Sequence, residues 1–393
     1  LTKRLLLFVL VCLCFLGISQ VHAEDVMEIT RKAGYTVSEV NRPKASIVVD
    51  AKTSEILWQD NIDMPRDPAS MSKMFTLYIL FEELAKGKVT LDTTITATET
   101  DQAISKIYEI SNNNIVAGVA YPIRDLIIMT VVPSSNAATV MIANYLSNND
   151  ASAFIDRINK TAKELGMTNT HFSNASGAIA QAFQGYYLPE KYDLTASNIT
   201  TARDFATLIY YFLTNYPSIL DFTNQTVVRT MVGTPYEEEF HSYNHSLPDG
   251  KFGIEGVDGM KTGSSPSAAF NAVVTAKRGN TRLITVVLGV GDWSDQNGEF
   301  YRHPFINALT EKAFKDSKTL TKAKRSKLKR LAAKPASTAA AAKKQLPQAT
   351  TDQSFLEKIE QFVDDHRPLV LICLAIFILI VLLLALMAFM MGR

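Results

Sequence analysis

The chain has 393 residues, 47% of them apolar, and a net charge of only +1. That length holds one large domain or two ordinary ones, and the even charge balance argues against nucleic acid as a partner. The sum hides an asymmetry: residues 312–344 carry twelve Lys and Arg against one acid, Asp316, a local +11 that leaves −10 for the rest.

The N-terminus reads LTKRLLLFVLVCLCFLGISQVHAED. A basic pair, Lys3 and Arg4, precedes an apolar run from Leu5 to Ile18, and Val21-His22-Ala23 forms a small-residue cleavage site. Residues 1–23 are therefore expected to be a secretory signal peptide. Residues 24–316 read as one α+β unit. The stretch ASIVVDAKTSEILWQDN (45–61) is expected to be a hairpin, and 268–290 two strands joined at Gly279-Asn280. Between these strand regions the pattern is helical. Helices are expected over Ser72–Lys86, ending at Gly87; over Ile123–Leu146 in two pieces broken near Pro133; over Phe154–Leu165; and over Thr201–Leu213, with Thr201 and Asp204 at capping-box spacing. Strands from both ends around a helical middle predict one antiparallel sheet with helices on its faces.

After Phe314 the composition turns to Lys, Ala, Thr and Pro. Residues 317–368 are expected to be a basic flexible tether, since so few large apolar residues cannot bury a core. Leu369–Met391 is uncharged. As a helix these residues reach roughly 35 Å, enough for a hydrocarbon core ~30 Å thick, so 369–391 is expected to be a single transmembrane helix. The tether's charge is that of a solvated linker or of a segment drawn to anionic lipid or wall polymer. Cys12 and Cys14 fall in the expected signal and Cys373 in the expected span, so the domain between has no disulfide and depends on its core. His241 and His245 have helical spacing in a loop-like stretch, HSYNHSLPDG, and no metal or cofactor is expected.

Three short stretches carry the chemistry. In DPASMSKMFTLYIL (67–80), Ser70 and Lys73 lie one turn apart at the start of a helix apolar nearly all round. A cation is unfavourable at a helix N-terminus, and a buried helix would desolvate it. Both effects favour the neutral amine, a general base beside a nucleophilic hydroxyl. The plain alternatives are an N-cap serine and a solvated lysine. A second Ser-x-x-Lys, Ser326 to Lys329, sits in the expected tether and is read as chance. Ser134-Ser135-Asn136 occupies the break at Pro133 between two apolar helices, where polar side chains can face a cleft; a helix cap is the alternative. The same spacing at Ser111, Ser147 and Ser242 falls in polar runs read as loops. Lys261-Thr262-Gly263 occurs once, after an expected turn at Asp258-Gly259 and at the start of the C-terminal strands. Gly263 bares a strand for close approach by a ligand, and Lys261 and Thr262 suit a carboxylate. A guarding edge-strand lysine is the alternative.

Taken in this order, Ser70-Met71-Ser72-Lys73, Ser134-Ser135-Asn136 and Lys261-Thr262-Gly263 resemble the three motifs of penicillin-binding proteins and serine β-lactamases. DPASMSKMFT, VPSSNAATVMIA, TNTHFSNASGA, SILDFTNQ and DGMKTGSS are most similar to low-molecular-mass penicillin-binding proteins, the D-alanyl-D-alanine carboxypeptidases, over residues 40–315. The resemblance implies the β-lactamase/transpeptidase-like fold, with a helical subdomain beside the sheet. It implies that Ser70 attacks the carbonyl between two terminal D-alanines of a peptidoglycan stem peptide and that Lys73 takes its proton. Ser134 would relay a proton to the leaving amine, and Asn136 would bond the substrate amide. Lys261 and Thr262 would bind the terminal carboxylate, and the backbone N–H groups of Ser70 and Ser264 would form the oxyanion hole. β-Lactams would be covalent inhibitors. The protein would sit in the cell membrane of a Gram-positive envelope, catalytic domain outside. Many relatives carry a small β-rich domain after the catalytic one; here the tether is expected in its place. A D,D-transpeptidase is the main alternative. A β-lactamase is disfavoured because no Glu-x-x-Leu-Asn stretch lies between the second and third motifs, and Glu164 reads as a helix end. A non-catalytic binding module is disfavoured by the intact Ser70, Lys73 and Lys261.

Overall fold

Residues 24–331 are described by the computed structural model, and in them the two strand-bearing ends of the sequence meet in one sheet. In chain order come α1 (Val26–Lys32), β1 (Ala45–Asp50), β2 (Ile56–Asp60), a 3₁₀ turn (Ala69–Ser72), α2 (Lys73–Ala85), β3 (Thr94–Thr96), α3 (Glu99–Ser105), β4 (Ala120–Pro122), α4 (Ile123–Val131), α5 (Asn136–Ser147), α6 (Ala151–Glu164), α7 (Ala202–Asn215) and α8 (Leu220–Thr223). There follow β5 (Val227–Thr230), β6 (Glu238–His241), β7 (Val257–Ser265), β8 (Ala269–Arg278), β9 (Thr281–Val290), α9 (Gly298–Thr319) and α10 (Lys322–Arg325). The main sheet has the order β2-β1-β9-β8-β7, with every pairing antiparallel.

Both faces of this sheet are covered, which is why β1, β8 and β9 read as continuous apolar runs. Ile47, Val49, Val273, Ile284 and Val286 point to the helical side, where α2 is buried among α4–α7. Val48, Ala272, Val274, Leu283 and Val287 point the other way, onto α1 and α9. The period-2 alternation is intact, but each side finds a core. The antiparallel sheet with flanking helices is thus the α+β architecture expected from the sequence.

Three local expectations are corrected. Asp258-Gly259 is not a turn: it lies inside β7, where the register with β8 slips between Val257 and Gly259. At α7, Thr201 Oγ1 accepts the Asp204 N–H at 3.1 Å, but the reciprocal half of a capping box is missing. The Asp204 carboxylate instead accepts from Asn169 N and Thr170 Oγ1, at 2.8 and 2.9 Å. Finally, the chain does not leave the domain at residue 317. Helix α9 continues to Thr319, and residues 320–331 return to the β1–β2 turn. There Lys329 O accepts from Ile56 N (2.8 Å) and Ser54 O accepts from Leu331 N (3.0 Å). The Glu55 carboxylate, 3% exposed, receives Arg325 at 2.7 Å and Arg330 at 3.2 Å. Burial pulls its pKa up, but the two guanidiniums outweigh that and hold it below the usual range. The expected signal, the rest of the tether and the expected span at 369–391 lie outside the described residues. Among the described residues no helix is long and apolar enough to cross a membrane.

Glu55→Ala is expected to loosen residues 320–331 alone. Removing one partner of a buried pair destabilises it, and about 1.4 kcal/mol here would speed tryptic cleavage after Arg325 and Arg330 about tenfold. Unchanged cleavage would mean that the backbone bonds hold the segment unaided.

Candidate active site

Ser70 sits in the 3₁₀ turn that feeds α2, half-buried at the floor of a cleft. The turn is squeezed from two sides. A side chain at Gly263 would lie 2.5 Å from Pro68 O and 2.8 Å from Met71 N. One at Gly177, whose φ is +94°, would lie 1.9 Å from Ala69 O. The close approach that Gly263 permits is therefore by the protein's own backbone rather than by a ligand, a correction to the sequence reading.

Lys73 opens α2 and is 0% exposed. Its Nζ lies 3.0 Å from Ser70 Oγ, 2.9 Å from Asn136 Oδ1 and 3.0 Å from Ser176 O. Burial drives its pKa far below that of a free lysine, and the nearby Lys261 adds to this. A neutral amine has two N–H donors and one lone pair. Here the two donors are taken by Asn136 and Ser176, which leaves the lone pair facing the Ser70 O–H.

Ser134 lies in the break between α4 and α5 at φ +62°, 4% exposed, and its Oγ accepts from Lys261 Nζ at 2.9 Å. No hydrogen bond joins it to Lys73 among the described residues. The capping role falls to its neighbour, since Ser135 Oγ accepts the Ala138 N–H at 3.1 Å. Asn136 bridges: Oδ1 takes Lys73, and Nδ2 donates to Ser111 O at 2.9 Å. Lys261 projects from β7, 2% exposed, and also donates to Thr262 O at 3.0 Å. Burial, with Arg302 nearby, lowers its pKa to about 7.

Sequence reasoning missed Arg302, Ser176 and Ser111. Arg302 comes from α9, is 1% exposed, and donates to Ser264 Oγ (2.9 Å) and Asn271 O (3.2 Å). Burial lowers its pKa to about 10. Ser176 and Ser111 take part through carbonyl oxygens, which no side-chain pattern announces. Ser70, Ser134, Thr262, Gly263, Ser264 and Arg302 line a cleft of about 190 Å³. From Ser70 a second lobe of about 440 Å³ runs past Gly177, Ile179, Pro266 and Trp293. All eight residues singled out from the sequence thus converge, while Ser326 and Lys329 are both exposed. Lys73, Lys261 and Arg302 form no ion pair among the described residues, so nothing offsets the burial that lowers the pKa of Lys73.

The sequence profile of peptidase family S11, D-alanyl-D-alanine carboxypeptidase, matches residues 33–292. The chain belongs to this family of serine peptidases. D-alanyl-D-alanine carboxypeptidase DacF of Bacillus subtilis is 27% identical over 310 residues, which are 75% of this chain and 70% of DacF. DacA of Escherichia coli is 28% identical over 294 residues, 73% of this chain and 64% of DacA. Among solved structures, PBP3 of Streptococcus pneumoniae, a peptidoglycan synthesis regulatory factor, matches with 25% identity and a TM-score of 0.64 over 72% of each chain. Penicillin-binding protein D2 of Listeria monocytogenes in its ampicillin-bound form matches with 25% identity and a TM-score of 0.55, over 69% of this chain and 97% of that one.

For this carboxypeptidase-family chain the buried lysines imply a pH-dependent stability. The folded pKa of Lys261, about 7, lies below its unfolded value of 10.5. Between these values the unfolded state holds more protons, so stability rises with pH. Urea midpoints of the wild type and Lys261→Met should converge from pH 7 to pH 10, with the wild type gaining. A gap independent of pH would show that Lys261 stays charged in the fold.

Proposed function

We propose that the protein removes the terminal D-alanine from peptidoglycan stem peptides through an acyl-enzyme on Ser70. The observation that carries this is the 3.0 Å contact between Ser70 Oγ and the buried Lys73 Nζ. In this reading Ser70 Oγ adds to the carbonyl carbon of the penultimate D-alanine while its proton passes to Lys73. The negative oxygen that forms is held by the N–H groups of Ser70 and Ser264, on the two backbones that Gly263 brings together. The C–N bond then breaks, and Ser134 hands a proton to the departing amine. Its hydrogen bond to Lys261 rather than Lys73 makes Lys261 part of that relay. The substrate's terminal carboxylate lies at the cationic end, between Lys261, Thr262 and Arg302. Asn136, already oriented by Ser111 O, receives the substrate amide. Water finally attacks the acyl-enzyme and regenerates Ser70; attack by an amine instead would be D,D-transpeptidation.

β-Lactams carry a strained amide and a carboxylate at comparable separation and would acylate Ser70 in the same way. Ampicillin is bound in the Listeria structure. In this proposal residues 1–23 direct export and the uncharged run 369–391 anchors the enzyme, its catalytic domain outside the cell membrane.

A fluorescent penicillin should label the wild type covalently and leave Ser70→Ala unlabelled; labelling of that variant would remove Ser70 as nucleophile. With a pentapeptide stem and an added D-amino acid, formation of the hydrolysed tetrapeptide should exceed formation of the exchanged peptide. The opposite ratio would assign the enzyme to transpeptidation.

A further inference from the structure

The proposed oxyanion donors lie on segments that no ladder connects. Ser70 belongs to the 3₁₀ turn, and Ser264 to β7, the edge strand of the sheet. Among the described residues no backbone hydrogen bond joins residues 67–72 to residues 261–265. Yet two such donors must be held to within a fraction of an ångström if the negative oxygen is to meet both.

One side chain spans the gap. Asp67, 9% exposed, accepts the Ala69 N–H on Oδ1 at 2.7 Å. Its Oδ2 accepts Ser265 Oγ at 3.0 Å and Ser267 Oγ at 2.5 Å. Its main-chain carbonyl accepts Asn271 Nδ2 at 2.9 Å, and Asn271 Oδ1 in turn accepts the Gly289 N–H at 2.8 Å. Ser265 directly follows Ser264, and Asp67 lies three residues before Ser70. The carboxylate therefore ties the turn to the end of β7, and the carbonyl ties it to β8 and β9.

Two features exceed what simple stability asks for. The carboxylate has no cationic partner: among the described residues it forms no ion pair, and its donors are one amide and two hydroxyls. Charge-assisted bonds of this kind are short and stiff, but they leave a part-buried charge to be stabilised by dipoles alone. In addition, the Asp67–Ala69 bond closes a turn across Pro68, directly before Ala69, whose φ is +47°. A non-glycine residue in that region costs about 1–2 kcal/mol and persists only where its surroundings impose it. The strain lies one residue before the nucleophile and turns the Ser70 N–H toward the strand.

We propose that Asp67 is a positioning residue that fixes the Ser70 N–H against the Ser264 N–H through Ser265 and Ser267. The proposal rests on the acyl-enzyme reading above and adds to it the residue that sets the spacing of the donor pair. Asp67 borders the second lobe of the cleft, and in this proposal it acts through the two backbones rather than on the substrate.

The test uses the full chain in detergent, an acylated tripeptide ending in D-Ala-D-Ala, and a fluorescent penicillin. Removing one oxyanion donor typically costs about a hundredfold or more in kcat, and a misplaced one somewhat less. Asp67→Ala should accordingly lower kcat and the penicillin acylation rate about ten- to a hundredfold, with KM changed no more than about threefold. Asp67→Asn should recover most of the rate, because its amide oxygen still accepts Ala69 N–H and its NH₂ can donate to a serine hydroxyl. The double variant Ser265→Ala/Ser267→Ala keeps the Ala69 bond, and so the turn, yet should show the same selective loss of kcat. A folded Asp67→Ala enzyme with unchanged kcat, or a loss seen in KM alone, would overturn the proposal. So would a wild-type kcat in the double serine variant, even if Asp67→Ala fails to fold. A wild type that neither hydrolyses the peptide nor takes the label would instead overturn the acyl-enzyme reading itself.

Discussion

A lysine amine that is fully buried beside a second lysine, and that forms no ion pair among the described residues, is driven toward its neutral form. Everything at this site follows from that constraint on Lys73. Water is excluded because α2 is buried nearly all round, and α2 can be buried because the sheet is covered on both faces. Lys261 acts on Lys73 in the same direction as burial, and Arg302 acts so on Lys261. In its neutral form Lys73 commits its two hydrogens to Asn136 and Ser176, which leaves one direction for its lone pair, toward Ser70. Such a group works against the stability of the fold at neutral pH, and the large apolar core offsets it.

The second constraint is spatial. The turn that carries Ser70 and strand β7 are brought together by absence and by presence. Gly177 and Gly263 leave out side chains that would clash with Ala69 and Pro68. Asp67, Ser265 and Ser267 supply the bonds that a sheet edge lacks. An edge strand is ordinarily free to pair with another chain; here the outer side of β7 is occupied by the turn that carries Ser70. The site thus closes the sheet, and the sheet aligns the site.

Much of this was legible from residue pattern. Strands β1, β8 and β9 carried apolar runs because they are buried on both faces, and Gly279 marked the turn between β8 and β9. Ser70 and Lys73 stood out because a lysine at the start of an apolar helix is electrostatically misplaced. What escaped notice has physical causes. Helix α9 hides its apolar face, since Arg302, His303, Asn307 and Thr310 are buried beside Phe305, Ile306 and Leu309 and blur the period. Arg302 therefore carries no pattern that would single it out. Ser111 was passed over as loop, and it is loop, but its carbonyl orients Asn136. The tether was drawn too early because Lys and Ala dominate after Phe314; Glu55, far away in sequence, compensates Arg325 and Arg330 and keeps that stretch in the fold.

That last contact fixes where the described chain ends on the domain. Leu331 is fastened at the turn between β1 and β2, the end of the sheet where Asp50, Leu283 and Ala276 align. Gly263 pairs with Asn271, five residues farther along β8, so the exit point and the nucleophile's turn are about 17 Å apart along the strand axis. Leu331, the last described residue, therefore stands at the end of the sheet opposite the one where Ser70 meets β7.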